Sequence, residues 1–241
     1  MKSTKAVKEH KVVSHKEWIA ARKAFLAKEK KFTRLRDEMS RQRRELPWEK
    51  VEKEYVFDGP KGGETLADLF DGKSQLIIYH FMFDPTWTEG CPFCSFWADS
   101  FNSLGVHLKH RDATMLAISR APLPKLNAFK KRMKWGFKWV SSFHTDFNYD
   151  YGVSFLPKDW KNGPVIHNYA PEKISSSERA GISTFIRNKR GEIFHTYTCY
   201  ARGLDMMNNT YHYLDLTPKG RDEDKLDFTM AWVRYHDKYK D

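Results

Sequence analysis

The chain has 241 residues, of which 40% are hydrophobic and 15% aromatic, so it can bury a substantial core. Its formal net charge is +11, yet residues 1–50 hold sixteen Lys/Arg against seven Asp/Glu, and the rest of the chain is close to neutral. The first residues lack the apolar stretch of a secretory signal, and no run of about 18 apolar residues predicts a transmembrane helix. We therefore expect a protein that does not enter membranes and works in the reducing cytoplasm, where paired cysteines are more often catalytic than structural.

A long basic helix is predicted over residues 14–46. Ser14 and Glu17 have the spacing of an N-terminal capping box, and Pro47 cannot continue a helix. Apolar residues recur at steps of three, four or seven along one face, at Trp18, Ala21, Phe25, Phe32, Leu35 and Met39. The other face is rich in Lys and Arg. This predicts a solvated surface rather than nucleic-acid binding, because no recognised nucleic-acid-binding module accompanies the charge.

The domain predicted for residues 47–241, after a basic helical arm at 1–46, begins with short elements and then a buried strand. A strand at Tyr55–Phe57 and a helical turn at Thr65–Phe70 come first. Gln75–Phe83 is nearly continuous in apolar, β-branched and aromatic residues, which is typical of a strand buried on both faces. A turn follows, and then Cys-Pro-Phe-Cys leads into a helical pattern. A central strand that delivers a CxxC to the first turn of a helix is the thioredoxin-type arrangement.

The CxxC motif is the strongest chemical signal in the sequence. The thiolate is the reactive form of cysteine, and the unpaired N–H groups at a helix N-terminus stabilise it. We expect Cys91 at the N-cap, Pro92 at the first helical position and Cys94 more deeply buried, so Cys91 is the candidate attacking thiol and Cys94 the resolving thiol. Half of a zinc site, a structural disulfide and two inert thiols are the alternatives, but the one remaining cysteine, Cys199, belongs to no second CxxC. We predict no metal and no cofactor.

The second half of the domain alternates between strands and helices and ends in a hairpin and a helix. The predicted elements are a strand at Ala113–Ser119, a helix at Leu123–Met133, a strand at Trp139–Ser142, a hairpin of Ser183–Arg187 with Glu192–Thr198, and a helix at Phe228–Tyr239. Three prolines and a serine run mark an insertion or long loop around residues 154–178. This order predicts an α/β fold of the thioredoxin-like type, with a central mixed sheet flanked by helices and a long N-terminal helical extension.

The chain resembles the thioredoxin superfamily over about residues 50–240 and, more closely, the bacterial thioredoxin-like family of unknown function DUF899. The motifs that carry the closer resemblance include DLFDGKSQLIIYHFMF, CPFCSFWAD, RMKWGFKWVSS and HTYTCYARGLD, and they run along nearly the whole chain. The resemblance implies a thioredoxin fold and thiol–disulfide chemistry. It implies no particular substrate.

The resemblance to thioredoxins also implies a substrate groove beside the dithiol. Thioredoxins carry a cis-proline before the hairpin strand, in a run like Gly-Ile-Pro-Thr, where this chain has Gly-Ile-Ser-Thr with Ile182 and Ser183. A non-proline cis bond costs about 3 kcal/mol, so we expect a trans bond, an altered groove and a hydroxyl close to the thiols. The predicted substrate-binding residues are Trp87, Thr88, Pro92, Ile182 and Ser183.

A second resemblance is to peroxiredoxins, which carry a threonine three residues before the attacking cysteine, as Thr88 stands before Cys91. Their proline lies seven residues before that cysteine, whereas Pro85 lies six before it, so the match is partial. The resemblance implies that Thr88 would hydrogen-bond a peroxide and that Arg120 would support the thiolate.

Several other polar residues have both a structural and a functional interpretation. His80 in the central strand is expected to be a buried, hydrogen-bonded histidine, with a proton relay or a metal ligand as the alternative. Glu89 could accept the proton of Cys94, although an exposed turn is the favoured position. His195 and Cys199 share a face of the hairpin strand by period-two counting and could complete a metal site with His80. We assign supporting roles to His80, Glu89 and Arg120.

Three functions fit this sequence. The preferred one is a thiol–disulfide oxidoreductase in which Cys91 attacks a protein or small-molecule disulfide and Cys94 resolves the mixed disulfide. A reductant such as thioredoxin or a low-molecular-weight thiol then restores the dithiol. The first alternative is a peroxiredoxin-like thiol peroxidase that uses Cys91 on a peroxide. The second is a non-catalytic thioredoxin-fold binding protein whose basic arm docks a partner or a second subunit, which would make a homodimer.

Overall fold

The computed structural model describes residues 9–240, and its central feature is one eight-stranded mixed sheet. The helices are α1 (His15–Arg43), α2 (Pro92–Ala98), α3 (Phe101–Lys109), α4 (Leu123–Arg132), α5 (Phe147–Asp150), α6 (Pro157–Trp160) and α7 (Asn209–Leu214). The strands are β1 (Glu49–Lys50), β2 (Val56–Gly59), β3 (Gly62–Thr65), β4 (Gln75–His80), β5 (Ala113–Ser119), β6 (Trp139–Ser141), β7 (Val165–His167), β8 (Ala170–Glu172), β9 (Gly181–Arg187) and β10 (Ile193–Tyr200). Two 3-10 helices cover Asp68–Phe70 and Ala201–Met207.

Strand β4 lies in the middle of the sheet, whose order is β1-β10-β9-β4-β5-β6-β2-β3. It is parallel to β5 and antiparallel to β9, and β5 is parallel to β6. Helices connect the parallel pairs, as crossover connections require, and β9 and β10 form the predicted hairpin. The predicted α/β fold, with a central mixed sheet flanked by helices, is therefore confirmed.

The side chains of β4 alternate between two cores, one on each face of the sheet. Ile78 packs on one face with Phe147, whereas Tyr79 packs on the other face in the core that contains both cysteines of the CxxC. These three residues are each at most 1% exposed. The prediction of a strand buried on both faces is confirmed, although the regular strand ends at His80, three residues earlier than expected.

Helix α1 begins with the predicted capping box and exposes its apolar face. The backbone N–H of Ser14 donates to the Glu17 carboxylate at 3.0 Å, and the N–H of Glu17 donates to the Ser14 hydroxyl at 3.3 Å. No residue of α1 is buried, and Phe25 and Phe32 are 56% and 65% exposed. The part of the predicted arm that precedes Glu9 lies outside the described residues.

The prediction of a terminal helix at Phe228–Tyr239 is wrong, because tertiary hydrogen bonds replace helical ones there. The segment, which we call the C-terminal strap, forms turns. The Glu223 carboxylate accepts the Met230 N–H at 3.0 Å, and the Tyr235 hydroxyl donates to the Gly90 carbonyl at 2.7 Å. Aromatic edge contacts seat the strap on α2. The strap therefore lies directly beside the CxxC motif.

Smaller differences concern element boundaries. The helix predicted after the CxxC is divided into α2 and α3, and the helical turn predicted at Thr65–Phe70 is a 3-10 helix at Asp68–Phe70. The region around 154–178 holds α6 and the β7–β8 hairpin, which forms a separate two-stranded sheet. The division of the chain into an arm and a domain with an insertion stays a prediction.

Candidate dithiol site

The two cysteines of the CxxC lie at the start of α2. Cys91 is the N-cap, with non-helical φ −57° and ψ 126°, Pro92 is the first helical residue, and Cys94 lies within the first turn. Pro92 fits that position because the N–H groups of a first helical turn have no partner within the helix. Cys91 and Cys94 are 6% and 2% exposed, and both are free thiols.

The two thiols differ in acidity because they differ in hydrogen bonding and burial. The Cys91 sulfur accepts a hydrogen bond from the Cys94 thiol and others from the backbone N–H groups of Cys94 and Phe93, and these bonds lower the pKa of Cys91 although burial opposes them. Burial raises the pKa of Cys94 well above its ordinary value, and the hydrogen bond to Cys91 raises it further. Cys91 is therefore the more acidic of the two thiols.

Two residues that sequence reasoning missed hold Cys94 in place. The Tyr79 hydroxyl hydrogen-bonds to the Cys94 thiol, and the Met82 N–H donates to Cys94 Sγ at 3.5 Å. The Met82 carbonyl in turn accepts the Cys91 N–H at 3.0 Å. Burial raises the pKa of Tyr79 well above its ordinary value, so its hydroxyl stays protonated. Period-two counting along β4 could have found Tyr79, because that strand leads directly to the motif.

Cys91 opens toward a surface groove, the Cys91 groove, between the turn before α2 and the C-terminal strap. Its lining includes Trp87, Thr88, Glu89, Pro92, Phe93 and Tyr235. Lys125 donates to the carbonyls of Pro85 at 2.7 Å and Trp87 at 2.8 Å, which secures the turn. Glu89 is paired with Arg132 on the exposed side of the turn. Trp87, Thr88 and Glu89 of this turn therefore lie around Cys91, as predicted, and the Glu89 carboxylate forms an ion pair with the Arg132 guanidinium.

Cys94 faces a different space, the Cys94 cavity, which has a volume of about 310 Å³. Its walls are mainly apolar and include Tyr79, Met82, Phe93, Trp97, Ala180, Leu204, Tyr211 and Met230. Met82 and Phe93 line both spaces, so the groove and the cavity adjoin each other there. The sequence alone did not indicate this cavity, because its walls come from β4, α2, the segments that flank β9 and β10, α7 and the C-terminal strap.

His80 and Ser183 lie on the sheet face opposite the dithiol. His80 Nε2 is 2.8 Å from Ser183 Oγ, Ser183 Oγ is 2.8 Å from Thr198 Oγ1, and His195 Nε2 is 2.6 Å from Thr198 Oγ1. Ile182 packs in the core that contains the cysteines. Successive side chains of a strand point to opposite faces, so the Ser183 side chain points away from the cysteines. The expectation of a hydroxyl close to the thiols is therefore wrong. Burial lowers the pKa of His80 to about 3, which keeps the ring neutral. The described peptide bonds are all trans.

Arg120 lies in a buried ion cluster where β4 and β5 end, and the structure does not bring it to Cys91. Its guanidinium pairs with Asp84, donates to Glu178 at 2.7 Å and donates to the Tyr149 hydroxyl at 2.7 Å. The side chains of Arg120 and Glu178 are 13% and 1% exposed. Burial raises the pKa of Glu178 to about 7, although the Arg120 charge opposes that shift.

Within residues 9–240, no three His, Cys, Asp or Glu side chains converge on a position that could hold a metal ion. The alternative site of His80, His195 and Cys199 is therefore not formed. A bulge between His195 and Tyr197 shifts the pairing of β10, which defeats period-two counting there. In this described part of the chain, no helix is long and apolar enough to cross a membrane.

Strand β4 leads through the CxxC to α2, with the parallel strand β5 on one side of β4 and the antiparallel β9–β10 hairpin on the other. This arrangement defines a thioredoxin-fold protein with a dithiol site. Among such proteins, the chain belongs to the family described as bacterial protein of unknown function, DUF899, whose sequence model matches residues 7–239. The expected membership of the DUF899 family is thus confirmed, and the fold is of the expected thioredoxin-like type. No curated protein matches the chain.

The chain is also similar, at low identity, to solved structures of redox proteins. Peroxidoxin BcpB from Mycobacterium tuberculosis is 13% identical with a TM-score of 0.45, over 68% of this chain and 95% of that one. A peroxiredoxin Q from Xanthomonas campestris is 14% identical with a TM-score of 0.44, over 64% and 87%. A Chlorobium tepidum protein described as a thiol:disulfide interchange protein DsbE is 12% identical with a TM-score of 0.39, over 67% and 95%. These likenesses are too distant to assign an activity.

Proposed function

We propose that this protein is a thiol–disulfide oxidoreductase that acts through the Cys91–Cys94 dithiol. The observation that carries the proposal is the division of roles between the thiols: hydrogen bonds lower the pKa of Cys91, and burial raises the pKa of Cys94. The attacking thiol must be ionised, whereas the resolving thiol must keep its proton until the mixed disulfide has formed. A cytoplasmic location and reduction by thioredoxin or a low-molecular-weight thiol are part of this proposal.

The reaction runs in two exchanges. The Cys91 thiolate attacks one sulfur of a substrate disulfide, forms a mixed disulfide and releases the other substrate sulfur as a thiolate. Cys91 is then uncharged, so its contribution to the raised pKa of Cys94 disappears and Cys94 can lose its proton to the leaving thiolate. The Cys94 sulfur attacks the Cys91 sulfur, releases the second substrate thiolate and leaves a Cys91–Cys94 disulfide. An external dithiol, or two monothiols, return the two electrons.

The Cys91 groove supplies the surface on which this exchange would take place. Trp87, Thr88 and Pro92 line it beside the attacking sulfur, so in this proposal they contact the substrate. Ile182 supports the dithiol from the core beneath it. Thr88 is exposed and Trp87 is half-buried, so in this proposal the groove is open to solvent and accepts substrates larger than a peroxide.

Titration of the protein in glutathione buffers of graded potential is expected to show one reversible two-electron couple between about −120 and −270 mV. The physical reason is that hydrogen bonds to the Cys91 thiolate stabilise the reduced protein relative to the disulfide, which raises the reduction potential of the pair. Mass spectrometry after alkylation measures the fraction of oxidised protein. Cys199→Ser is the control and should leave the couple unchanged. A protein that forms no Cys91–Cys94 disulfide across this range would contradict the proposal.

A thiol peroxidase is the second candidate, since Thr88 shares the groove with Cys91. The candidate is less well supported because Arg120, its expected partner for the thiolate, is bound to Asp84 and Glu178 instead. Consumption of hydrogen peroxide that depends on Cys91 and exceeds the rate of disulfide exchange would favour the peroxidase.

We also propose that α1 docks on a second copy of the chain. Residues 15–43 carry ten Lys/Arg against four Asp/Glu, so two such helices repel each other and an acidic surface is the better partner. Residues 205–228 of the chain supply one, with six Asp/Glu against three Lys/Arg. This segment also exposes large apolar side chains, namely Met206, Tyr213, Leu216 and Phe228. Charge and apolar surface therefore match between the helix and this segment of another copy.

Light scattering of the full-length protein is expected to give a dimer that Phe25→Glu with Phe32→Glu converts to a monomer, because both rings lie on the exposed apolar face of α1. Ala20→Glu with Ala27→Glu is the matched control, since it adds the same charge five residues before each phenylalanine, on the other side of the helix. A monomeric wild-type protein, or a dimer that survives the phenylalanine changes, would contradict this docking.

A further inference from the structure

The two thiols of the dithiol face two separate spaces. Cys91 lines the open Cys91 groove, whereas Cys94 lines the Cys94 cavity of about 310 Å³. Met82 and Phe93 line both spaces. The groove and the cavity therefore adjoin each other at these two residues.

We propose that the Cys94 cavity is the specificity pocket of the dithiol and takes an uncharged aromatic or branched apolar group carried by the disulfide substrate. This inference rests on the proposed thiol–disulfide oxidoreductase function and names its substrate class. The substrate sulfur would bind beside Cys91 in the groove. The apolar group attached to it would fill the cavity over Cys94.

The size and lining of the cavity support an apolar occupant. Its volume falls at the lower end of the range of about 300–1,000 Å³ that is typical of small-molecule sites, so one substituted aromatic group fits and a long chain does not. Its walls include aromatic and aliphatic side chains: Phe93 and Trp97 belong to α2, and Leu204 packs in the same core. Binding of an apolar group against such walls is favourable because it removes apolar surface from water.

The charges at the rim argue for an uncharged group. Arg179 is paired with Glu172 at 3.4 Å, and Arg202 is 3.5 Å from Asp205. Asp205 is also held by Arg221 at 2.9 Å. Because each rim charge has an opposite charge beside it, a charged ligand would lose its hydration and gain little in return.

The exchange chemistry keeps the apolar group in the cavity until the last step. The Cys91 thiolate attacks the substrate sulfur R–S and expels the other half of the disulfide, which leaves a Cys91–S–S–R disulfide with R in the cavity. The Cys94 thiol hydrogen-bonds to the Cys91 sulfur, so it lies within reach of the mixed disulfide. Having passed its proton to the first leaving thiolate, the Cys94 sulfur attacks Cys91, breaks the Cys91–substrate bond and releases R–S⁻, which takes a proton from solvent.

Single-turnover kinetics of the reduced full-length protein test this inference. The substrates are the aromatic disulfide 2,2′-dithiodipyridine and the small polar disulfide bis(2-hydroxyethyl) disulfide. Ala180 is half-buried in the cavity wall, so Ala180→Phe adds a ring to that wall and reduces the space in the cavity. The matched control is Ala128→Phe on the exposed side of α4. We expect Ala180→Phe to slow the aromatic disulfide at least tenfold and the polar disulfide less than twofold, and Ala128→Phe to change neither.

An unchanged ratio of the two rates in Ala180→Phe, with both disulfides still reduced through Cys91, would overturn the specificity pocket and leave the proposed function intact. Reduction of neither disulfide by the wild-type protein would instead refute the oxidoreductase function. A second readout does not depend on thiol chemistry. Methyl NMR signals of Met82 and Met230, which line the cavity, should shift when 1-naphthalenemethanol is added and should not shift in Ala180→Phe. Unmoved signals in the wild-type protein would contradict the inference.

Discussion

The Cys94→Ser variant is expected to accumulate as a mixed disulfide with its substrate, whereas Cys91→Ser should form none and should reduce disulfides about 10³-fold more slowly, or slower still. Serine at 94 can still donate a hydrogen bond to the Cys91 thiolate, so the attacking thiol stays activated and only the resolving step is lost. Serine at 91 removes the ionised nucleophile itself. Intact-mass spectrometry after exposure to a disulfide measures both outcomes.

Cys199→Ser is the control for this experiment. Cys199 is 8% exposed, and burial raises its pKa, so it should remain a thiol under the same conditions. The control should react like the wild-type protein. An adduct on Cys199, or an adduct of equal yield in Cys91→Ser, would show that Cys91 is not the attacking thiol.

The Arg120→Met variant is expected to lose about 3–5 kcal/mol of unfolding free energy, because it leaves Glu178 and Asp84 buried without their cation. Urea unfolding measures the loss. Arg132→Met is the matched control, since Arg132 also contacts two carboxylates, Glu89 and Asp237, but at the surface. That control should cost about 1 kcal/mol or less. A loss below about 1 kcal/mol for Arg120→Met would contradict the structural role of the cluster.

The loss in Arg120→Met should also depend on pH in a defined direction. In the folded wild-type protein burial raises the pKa of Glu178 to about 7 from an ordinary 4.5, and Arg120 opposes that shift, so removal of Arg120 raises the pKa further. As pH rises above 4.5, the unfolded state ionises Glu178 while the folded variant still keeps the proton, which favours unfolding. The loss should therefore be larger at pH 8 than at pH 5, and adding Glu178→Gln should recover part of it.

Local patterns were enough to predict the elements that hold the dithiol. The continuous apolar run of β4 and the following Cys-Pro-Phe-Cys placed Cys91 at a helix N-cap, and the strand Ala113–Ser119 was found within its predicted bounds. Such signals succeed because strand burial and helix capping depend on residues that are close in sequence. The capping box of α1 at Ser14 and Glu17 belongs to the same class.

Long-range packing decided the surroundings of the dithiol. The apolar pattern of Phe228–Tyr239 resembled a helix, but hydrogen bonds to Glu223 and Gly90 and aromatic contacts with α2 hold it as a strap. Arg120 could not be assigned from sequence, because Glu178 lies 58 residues away and only the fold makes it a partner. The Cys94 cavity likewise has walls from distant parts of the chain. The CxxC and its helix were thus encoded locally, whereas the Cys94 cavity and the buried charges depend on contacts between residues far apart in sequence.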